Sequence, residues 1–423
     1  MSATAWILSL GFLGLAALGV PFAFALALTI IAVLTLTGIS PALLPQTAIL
    51  ASQSFSLLGI PFFILAGEIM TAGGLSKRLI AVADVFVRHL PGGLGLVTIL
   101  AACVFAAISG SAPATTAAIG SIMYPAMVAR GYSKPYAASL VVSAGVLAPL
   151  IPPSIAFIIW GVIAETSIAK LFLSGVLPGL AMAAGLAAYA VWKSTRAGAQ
   201  RLPRARWAEI RAALRDGVWA MLAPVIILGG IYSGLFTPTE ASAVACLYGL
   251  LVGLVIQREL RIKDLPAVVM RSMRVTALVM AVVIFSNGFG ILVAQEQLAD
   301  KFASSLTGAL QEKWAVLLAL NLGFFALASV MDEVAIMVIF GPMLKAIAAQ
   351  LGLDPIHFGA MIVTNVAIGM AAPPVGYCLF VGMAISNVPF AALARAIIPQ
   401  VLIMLVVLML VTYVPAFSLA LVR

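Results

Sequence analysis

Apolar runs of about twenty residues recur along almost the whole chain, and they limit the possible folds more than any other feature. A helix needs about 20 apolar residues to cross the hydrocarbon core of a bilayer. Hydrophobic residues make up 64% of the 423 residues and charged residues only 9%, a balance far outside that of a soluble domain. We therefore expect an all-α polytopic membrane protein with a single membrane domain over residues 1–423.

Residues that break helices divide the apolar runs into ten predicted crossings. In chain order the predicted crossings are 3–20, 22–38, 53–73, 136–163, 169–192, 217–235, 239–257, 274–294, 356–386 and 392–415. Two further apolar stretches, 95–129 and 313–349, are too long for one crossing and are interrupted halfway, so we expect re-entrant helical hairpins there. The first basic residue is Lys77, and the apolar start is therefore expected to be a retained span rather than a cleaved signal peptide.

The distribution of Lys and Arg predicts the topology. The loops 193–215, which includes Arg201, and 258–274 are basic and are separated by two spans, so both are expected in the cytoplasm. If the hairpins do not cross, most of the 23 Lys and Arg residues fall on that side. The remaining five then lie outside with both termini: Lys170, Lys301, Lys313, Lys345 and Arg423.

An internal repeat is the second line of evidence for the fold. Gly131, Pro152, Pro153 and Gly161 recur, at one constant separation, as Gly352, Pro373, Pro374 and Gly382. Each half then holds three spans, a short amphipathic connector, a hairpin, a helix broken by Pro-Pro and one more span. Five crossings invert the second half, and inverted repeats with broken helices are typical of transporters. The alternative is that each Pro-Pro only kinks a helix.

The interruption of the first hairpin, "SGSAPATT", is rich in hydroxyl groups and lacks a carboxylate. Hydroxyl and freed carbonyl oxygens of Ser109, Gly110 and Ser111 suit a weakly held monovalent cation such as Na⁺. The hydroxyl groups and the start of the next half-helix can also hold a substrate carboxylate, which makes Ser111, Pro113 and Thr115 candidate substrate residues. Alternatively, these small residues only permit close helix packing.

The interruption of the second hairpin, "SVMDEVAIM", contains two acidic residues. Charged side chains inside an apolar stretch are costly and usually face a cavity or a partner. Asp332 is therefore a candidate for ion or proton coupling, or for hinging the hairpin. The alternative is an exposed position where the carboxylate is only solvated.

Each Pro-Pro removes two amide donors and leaves carbonyl groups upstream without partners. We expect the first break, through Ala148, Ile151 and Pro153, to contribute oxygens to one sodium site. The second break is expected to contribute Gly369, Met370 and Pro373 to another sodium site. The candidate substrate residues near the second break are Asn365, Pro374 and Gly376.

Two further motifs contain an acidic residue, and for each of them a structural explanation competes with a functional one. In "GIYSGLFTPTEASA", Thr237 or Thr239 can cap a helix that Pro238 begins, and Glu240 suits the first turn. In "GIPFFILAGEIM", Glu68 is an isolated acid for which an interfacial position and a functional one are equally plausible.

Other function classes find little support in the composition. The three cysteines show no metal-binding or redox spacing, and the net charge of +9 follows from basic loops beside lipid headgroups rather than from nucleic-acid binding. An intramembrane hydrolase using Ser109 or Ser111 would need a base, but His89 and His357 both lie outside the hairpins. We expect no enzyme and no cofactor other than Na⁺ as coupling ion. A pure scaffold subunit is disfavoured by the paired hairpins.

These motifs, in this order, resemble the large membrane subunit of tripartite ATP-independent periplasmic (TRAP) transporters over essentially the whole chain. The segments that carry the resemblance are "GIPFFILAGEIM", "SGSAPATTAAIG", "LIPPSIAFIIWG", "GIYSGLFTPTEASA" and "MDEVAIM" followed by "APPVG". The resemblance implies an elevator-type fold of the ion-transporter superfamily. The implied division is scaffold spans in 1–74 and, after a basic loop, in 193–295, arms at 75–90 and 296–310, and two halves of a transport domain at 91–192 and 311–415.

The resemblance also implies a function and partners. It implies Na⁺-coupled import of an organic acid anion, such as a C4-dicarboxylate or sialic acid, across the bacterial inner membrane. A periplasmic binding protein would deliver the substrate, and a small four-helix membrane subunit, expected here as a separate chain, would complete the transporter. Ala148 and Ala372 depart from the Gly and Thr common in the family, which removes a hydroxyl ligand at the second position. The alternative is a single-component sodium/carboxylate symporter on the same fold.

Overall fold

A computed structural model of the chain describes residues 3–196, 203–310 and 312–422. Arg201 and Arg423, which entered the topology prediction, lie outside the described residues. Helices account for nearly all regular structure in the described part of the chain, and no strand occurs there. The predicted all-α class is confirmed.

The first half begins with α1 (Ala3–Trp6) and α2 (Phe12–Ala17), joined by the π-helical segment Ile7–Gly11. It continues with α3 (Phe22–Thr37), α4 (Leu43–Ser52), the 3₁₀ segment Phe55–Leu58, α5 (Gly59–Ala72), α6 (Leu75–Val87), α7 (Gly93–Ser109), α8 (Ala112–Ala129), α9 (Lys134–Gly145), α10 (Ile155–Ile163) and α11 (Ile168–Arg196).

The second half comprises α12 (Trp207–Tyr232), α13 (Pro238–Leu250) with the π-helical segment Leu251–Ile256, the 3₁₀ segment Ile262–Asp264, α14 (Leu265–Gln295), α15 (Leu298–Ala309), α16 (Lys313–Ala328), α17 (Glu333–Gln350), α18 (Pro355–Gly369), α19 (Tyr377–Ser386), α20 (Phe390–Tyr413) and α21 (Pro415–Leu419).

Seven helices in the described residues are long and apolar enough to cross a membrane. They are Phe55–Ala72, Ile168–Arg196, Trp207–Tyr232, Pro238–Ile256, Ile262–Gln295, Glu333–Gln350 and Phe390–Tyr413. Six of them fall on predicted crossings, which confirms a multi-pass chain. The seventh is α17, which the sequence assigns to the second hairpin. The other predicted crossings are shorter helices or helices that are interrupted.

Helix α4 has no counterpart among the predicted crossings. Pro41 and Pro45 flank its start, and the sequence prediction treats proline as a residue that ends a helix. Pro45 falls in the first turn of α4, where its missing N–H has no intrahelical acceptor to lose. The proline therefore begins a helix there instead of ending one.

The two halves show the same succession of elements. A short connecting helix (α6 or α15) is followed by two helices that form a hairpin, a helix interrupted at Pro-Pro, and a long helix (α11 or α20). The first interruption separates α9 from α10 and the second separates α18 from α19, and both Pro-Pro bonds are cis. The inversion of the second half and the domain boundaries stay predictions.

The hairpins pack crosswise on the broken helices of the opposite half. Helix α8 of the first hairpin lies against α19, and α17 of the second hairpin lies against α10.

At the edge of this group Lys345 pairs with Glu165 at 2.9 Å. The hydrogen bond from Lys345 holds the pKa of the Glu165 carboxyl below its usual range. Helices α3, α4, α5 and α13 form a second group through contacts with α14 or with α5. The cavity described below lies where the two groups meet.

The connecting helix α6 and the residue that follows it form ion pairs with α12 and with the segment after α13. Arg78 contacts Asp216 of α12 at 3.3 Å and Glu259 at 2.8 Å. Arg88, just after α6, pairs with Glu209. These ion pairs tie the first connector to α12 and to Glu259, while α6 also packs against α7 of the first hairpin.

Candidate functional site

The tip of the first hairpin contacts the first Pro-Pro break directly. Gly110, between α7 and α8, has a φ of +58°, and a Cβ there would collide with the carbonyl oxygen of Pro153. Only glycine allows this approach without strain. The hydroxyl groups of Ser109 and Thr115 lie 2.8 Å apart and are both buried. The three predicted sodium residues of this tip therefore adjoin the break.

Backbone carbonyl groups at the first break are left without donors. Among the described residues, the carbonyl oxygens of Ala148, Ile151 and Pro153 accept no hydrogen bond from another group. Ala148 is fully buried. Buried carbonyl groups are almost always paired in folded proteins, so these unpaired oxygens are candidate ligands for a cation.

The second hairpin contacts the second break in the same manner. The amide of Gly376 donates to the carbonyl of Ser329 at 2.6 Å, and a Cβ on Gly369 would meet Ala328 at the end of α16. The carbonyl of Gly369 accepts from the amide of Ala372, and the carbonyl of Met370 from the amide of Cys378, both at 2.9 Å. These two predicted ligands therefore have one lone pair already engaged, unlike the carbonyl groups of the first break.

The two acidic residues at the start of α17 have different roles. Oδ1 of Asp332 caps the helix, accepting from the amides of Val334 at 2.9 Å and Ala335 at 3.0 Å. Glu333 is only 4% exposed, and its Oε2 has no hydrogen-bond partner among the described residues. Cap formation thus accounts for part of the role of Asp332, whereas no ion pair or cap involves Glu333 among the described residues.

Both hairpin tips open onto one cavity of about 610 Å³. The first tip contributes Ser109, Ser111 and Pro113, and the second contributes Asp332 and Glu333. Met370 and Tyr377, on either side of the second break, complete this side. The cavity thus joins candidate sodium and substrate residues that lie more than two hundred positions apart in the chain.

The opposite wall is formed by helices of the second group. On α5 the lining residues are Ile64, Gly67, Glu68 and Thr71, and on α14 they are Val275, Leu278, Val279 and Val282. Each set follows the spacing of one helix face. Residues Pro21, Phe22 and Ala23 at the start of α3 close the side. This wall is apolar except for Glu68 and Thr71.

Several predicted residues lie away from the cavity. Thr115 is fully buried in its bond to Ser109, and Pro374 is exposed. Asn365 is fully buried, and its amide nitrogen donates to the backbone and side-chain oxygens of Asn321 at 2.8 and 2.9 Å. Asn321 in turn donates to Thr412 at 2.8 Å. Asn365 thus links α18 to α16 and α20 and does not line the cavity.

The sequence prediction did not include Glu333, Tyr377 or the wall residues Glu68 and Thr71 in the site. Glu333 carries the same signal as Asp332, a charge inside an apolar stretch. Glu68 pairs with Arg271 of α14 at 3.0 Å, a contact between distant segments that spacing does not reveal. The lining residues include three carboxylates and no Lys, Arg or His.

Among the described residues, no histidine is hydrogen-bonded to the hairpin serines. Ser109 contacts Thr115, whereas Nδ1 of the buried His357 lies 2.8 Å from Ser418 at the other end of the chain. The described residues contain no group of three or more His, Cys, Asp or Glu side chains that could hold a metal ion. The geometry is that of a binding cavity between two groups of helices.

Comparison with known proteins identifies the family. The family model described as "Tripartite ATP-independent periplasmic transporter, DctM component" matches residues 10–417. The chain belongs to this family. As a DctM-family protein it is a multi-pass protein of the inner membrane and a TRAP large permease subunit, so the resemblance inferred from the motifs is confirmed.

Several relatives of the DctM-family chain have named substrates. It is 42% identical over 372 residues to the C4-dicarboxylate TRAP transporter large permease protein DctM of Pseudomonas aeruginosa, covering 88% of this chain and 87% of the relative. It is 35% identical over 414 residues to the sialic acid TRAP transporter large permease protein SiaM of Vibrio cholerae. This match covers 97% of this chain and 96% of the relative.

A third relative is longer. The chain is 41% identical over 400 residues to the isethionate TRAP transporter permease protein DctMQ of Oleidesulfovibrio alaskensis. The match covers 94% of this chain and spans 63% of that relative's length. All three relatives are transporter permease proteins for organic acids, and none is named as an enzyme.

Proposed function

We propose that this chain imports an organic acid anion by Na⁺-coupled elevator transport as the large membrane subunit of a TRAP transporter. The observation that carries the proposal is the cavity between the two hairpin tips and the wall of α3, α5 and α14. Its volume of about 610 Å³ suits a small organic ligand. The family membership and the organic acids named for three relatives support the substrate class.

Sodium coupling is supported by the oxygen atoms at the tips and breaks. One site would use Ser109, Gly110 and Ser111 with the unpaired carbonyl groups of the first break. The second would use Asp332 with Gly369, Met370 and Pro373. Oxygen ligands of low charge hold a monovalent cation weakly enough for release, and irregular backbone at this depth is tolerated where it lines a cavity.

The elevator motion is supported by the division of the helices. Every candidate sodium residue lies on the hairpins and broken helices, whereas the opposite wall belongs to the second group of helices. In this proposal, the hairpins and broken helices move together and carry the cavity past a fixed wall. A bound organic anion would contact both groups. Because the hairpins carry it past the fixed wall, the anion would be exposed first on one side of the membrane and then on the other.

The proposed partners follow from the family. A periplasmic binding protein would deliver the substrate, and a small membrane subunit would complete the transporter. Two of the relatives are named large permease proteins, which supports a further membrane subunit as partner. The longer relative has the name DctMQ.

Reconstitution tests the proposal. The chain, its small subunit and the binding protein encoded beside it are placed in proteoliposomes, and uptake of the ligand bound by the binding protein is measured with and without an inward Na⁺ gradient. We expect uptake only with the gradient and with all three proteins. Gradient-independent uptake would contradict Na⁺ coupling, and uptake by this chain alone would identify a single-component sodium/carboxylate symporter.

A further inference from the structure

Helices α5 and α14 are joined, at one end of the cavity wall, by an ion pair that the proposed function does not use. Nε of Arg271 donates to Oε2 of Glu68 at 3.0 Å. The Arg271 side chain is 54% exposed and that of Glu68 is 30% exposed. An ion pair this exposed contributes little to stability, so its position relative to the cavity is the informative feature.

Arg271 lies on the helix face that lines the cavity. The lining residues of α14 are Val275, Leu278, Val279 and Val282. Arg271 precedes Val275 by one helical turn and therefore continues the same face beyond the last lining residue. Its partner Glu68 is itself a lining residue on α5. The guanidinium group is thus held at the end of the cavity.

The guanidinium group has unused donors. Its Nε is bonded to Glu68, whereas Nη1 and Nη2 have no hydrogen-bond partner among the described residues. Two terminal nitrogen atoms in one plane match the two oxygen atoms of a carboxylate, and this bidentate geometry is the reason that Arg is favoured for carboxylate recognition. Glu68 fixes the orientation of the group through Nε without occupying that edge.

The lining of the cavity is negatively charged, so binding of an organic anion there requires a cationic group such as the guanidinium of Arg271. The lining residues include three carboxylates, Glu68, Asp332 and Glu333, and no basic side chain. An organic anion that enters therefore meets like charge. Among these carboxylates only Glu68 has a cationic partner in the described part of the chain. Through its ion pair with Glu68, Arg271 brings a positive charge into contact with a lining residue of this wall.

We propose that Arg271, oriented by Glu68, recognises a carboxylate of the transported organic acid at the end of the cavity. This inference rests on the proposed function and adds a specificity residue to the wall of α5 and α14. Because this wall stays in place in the elevator model, the anion contacts Arg271 only when the hairpin tips lie level with it. Arg271 then stabilises the bound anion in one of the two states of the transport cycle.

Substrate kinetics of the complete transporter test the inference. Arg271→Gln is expected to raise the KM for uptake at least tenfold, and Arg271→Lys to restore only part of the loss because an ammonium group cannot bind in a bidentate manner. Glu68→Gln should raise KM several-fold. Arg211→Gln is the control, since Arg211 is exposed on α12 and is not among the lining residues of the cavity, and its KM should stay within twofold of the wild type.

An exchanged pair separates recognition from a structural role. The double variant Glu68→Arg with Arg271→Glu can re-form the ion pair with reversed direction. If the pair only holds α5 to α14, this variant regains the wild-type KM, and the inference is wrong. If Arg271 recognises the anion, KM stays high although the ion pair has formed again. An unchanged KM in Arg271→Gln would also overturn the inference.

The failure of the proposed function would be recognised separately, as wild-type uptake that does not depend on a Na⁺ gradient. In that event, and also if Arg271→Gln does not assemble, sodium succinate serves as a carboxylate probe on the purified full chain. We expect succinate to raise the unfolding temperature more than sodium chloride at equal Na⁺ concentration, with choline chloride added to equalise the ionic strength. The difference should shrink in Arg271→Lys and Glu68→Gln and persist in Arg211→Gln, and its undiminished persistence in all variants would overturn the inference.

Discussion

Gly110 shows how one residue positions the tip of a hairpin. Its φ of +58° and the nearby carbonyl oxygen of Pro153 exclude a side chain for two separate reasons. Gly352 offers a comparison, because its φ is +59° and no atom lies within 4 Å of the position a Cβ would take. Comparing the two glycines separates the cost of the left-handed backbone from the cost of the close contact with Pro153.

We expect Gly110→Ala to destabilise the protein more than Gly352→Ala. The control should lose about 1–2 kcal/mol through the left-handed backbone alone. Gly110→Ala should lose about 1–3 kcal/mol more, because the tip must move off the break. Unfolding of the purified protein in detergent measures both values. Equal losses would show that the contact with Pro153 does not restrict the tip.

Oε2 of the buried Glu333 has no hydrogen-bond partner among the described residues, and this predicts a gain of stability when the carboxylate is replaced. Glu333→Gln should raise the free energy of unfolding by about 1–3 kcal/mol in a buffer without Na⁺ or organic acids, since a neutral amide is less costly to bury. Glu312→Gln, at an exposed position, should change it by less than about 0.5 kcal/mol. A lower unfolding temperature for Glu333→Gln would mean that the carboxylate is satisfied in the folded protein.

At the scale of helices, polar links between distant segments hold the broken helices in place. Gln400 of α20 is fully buried and accepts from the hydroxyl of Ser143 of α9. Its amide nitrogen donates to the hydroxyl of Ser139, one turn earlier, at 2.9 Å. Together with the chain from Asn365 to Thr412, these bonds fasten both broken helices to α20.

The link through Gln400 predicts a non-additive pair of substitutions. Gln400→Met should cost about 1–3 kcal/mol, because the hydroxyl of Ser143 loses its acceptor in an apolar surrounding. Adding Ser143→Ala should recover part of this loss, since no orphaned hydroxyl is left. Thermal unfolding of both variants gives the coupling energy. A double variant that is less stable than Gln400→Met by the full cost of Ser143→Ala would contradict the link.

Elements with local signals could be predicted from the sequence. Thr237 and Glu240 form the capping box that begins α13, with bonds of 3.2 and 2.8 Å, so the structural explanation of that motif is confirmed. The breaks at Pro152 and Pro373 were likewise predictable, because proline cannot donate the bonds that a helix needs. Helix α4 was missed because proline has the opposite effect in a first turn.

The candidate site could be predicted only in part. The chemistry of the motifs was enough to select five residues that lie at one cavity: Ser109, Ser111, Pro113, Asp332 and Met370. Asn365 has the same chemistry but bonds to Asn321 on a neighbouring helix, which depends on packing alone. The pairing of Glu68 with Arg271 has the same origin, since it joins two helices that are far apart in the chain.

For the whole molecule, the contact between the first hairpin and α5 offers a test of relative motion. A Cβ on Gly67 would lie 3.6 Å from the Cβ of Ser109, which is within the range of disulfide geometry. In a chain without Cys103, Cys246 and Cys378, the pair Gly67→Cys and Ser109→Cys should cross-link on oxidation.

We expect the yield of this cross-link, measured by gel mobility, to depend on the state of the transporter. Na⁺ together with the organic acid should change the yield at least several-fold if the hairpin slides past α5. A reducing agent should restore the uncross-linked form in each condition. A yield that is identical in all conditions would show that the two groups of helices keep one arrangement, contrary to the elevator proposal.

The two walls of the cavity differ in net charge. The carboxylate on α5 is balanced by Arg271, whereas no cationic side chain balances Asp332 and Glu333 among the described residues. If the hairpins move as proposed, the empty carrier itself transports negative charge while these groups are ionised. A membrane potential acts on such a charge with about 2.3 kcal/mol per 100 mV for a full crossing. With the cell interior negative, the potential would drive the unloaded hairpins outward, so the electric field would itself return the carrier to the side from which import begins.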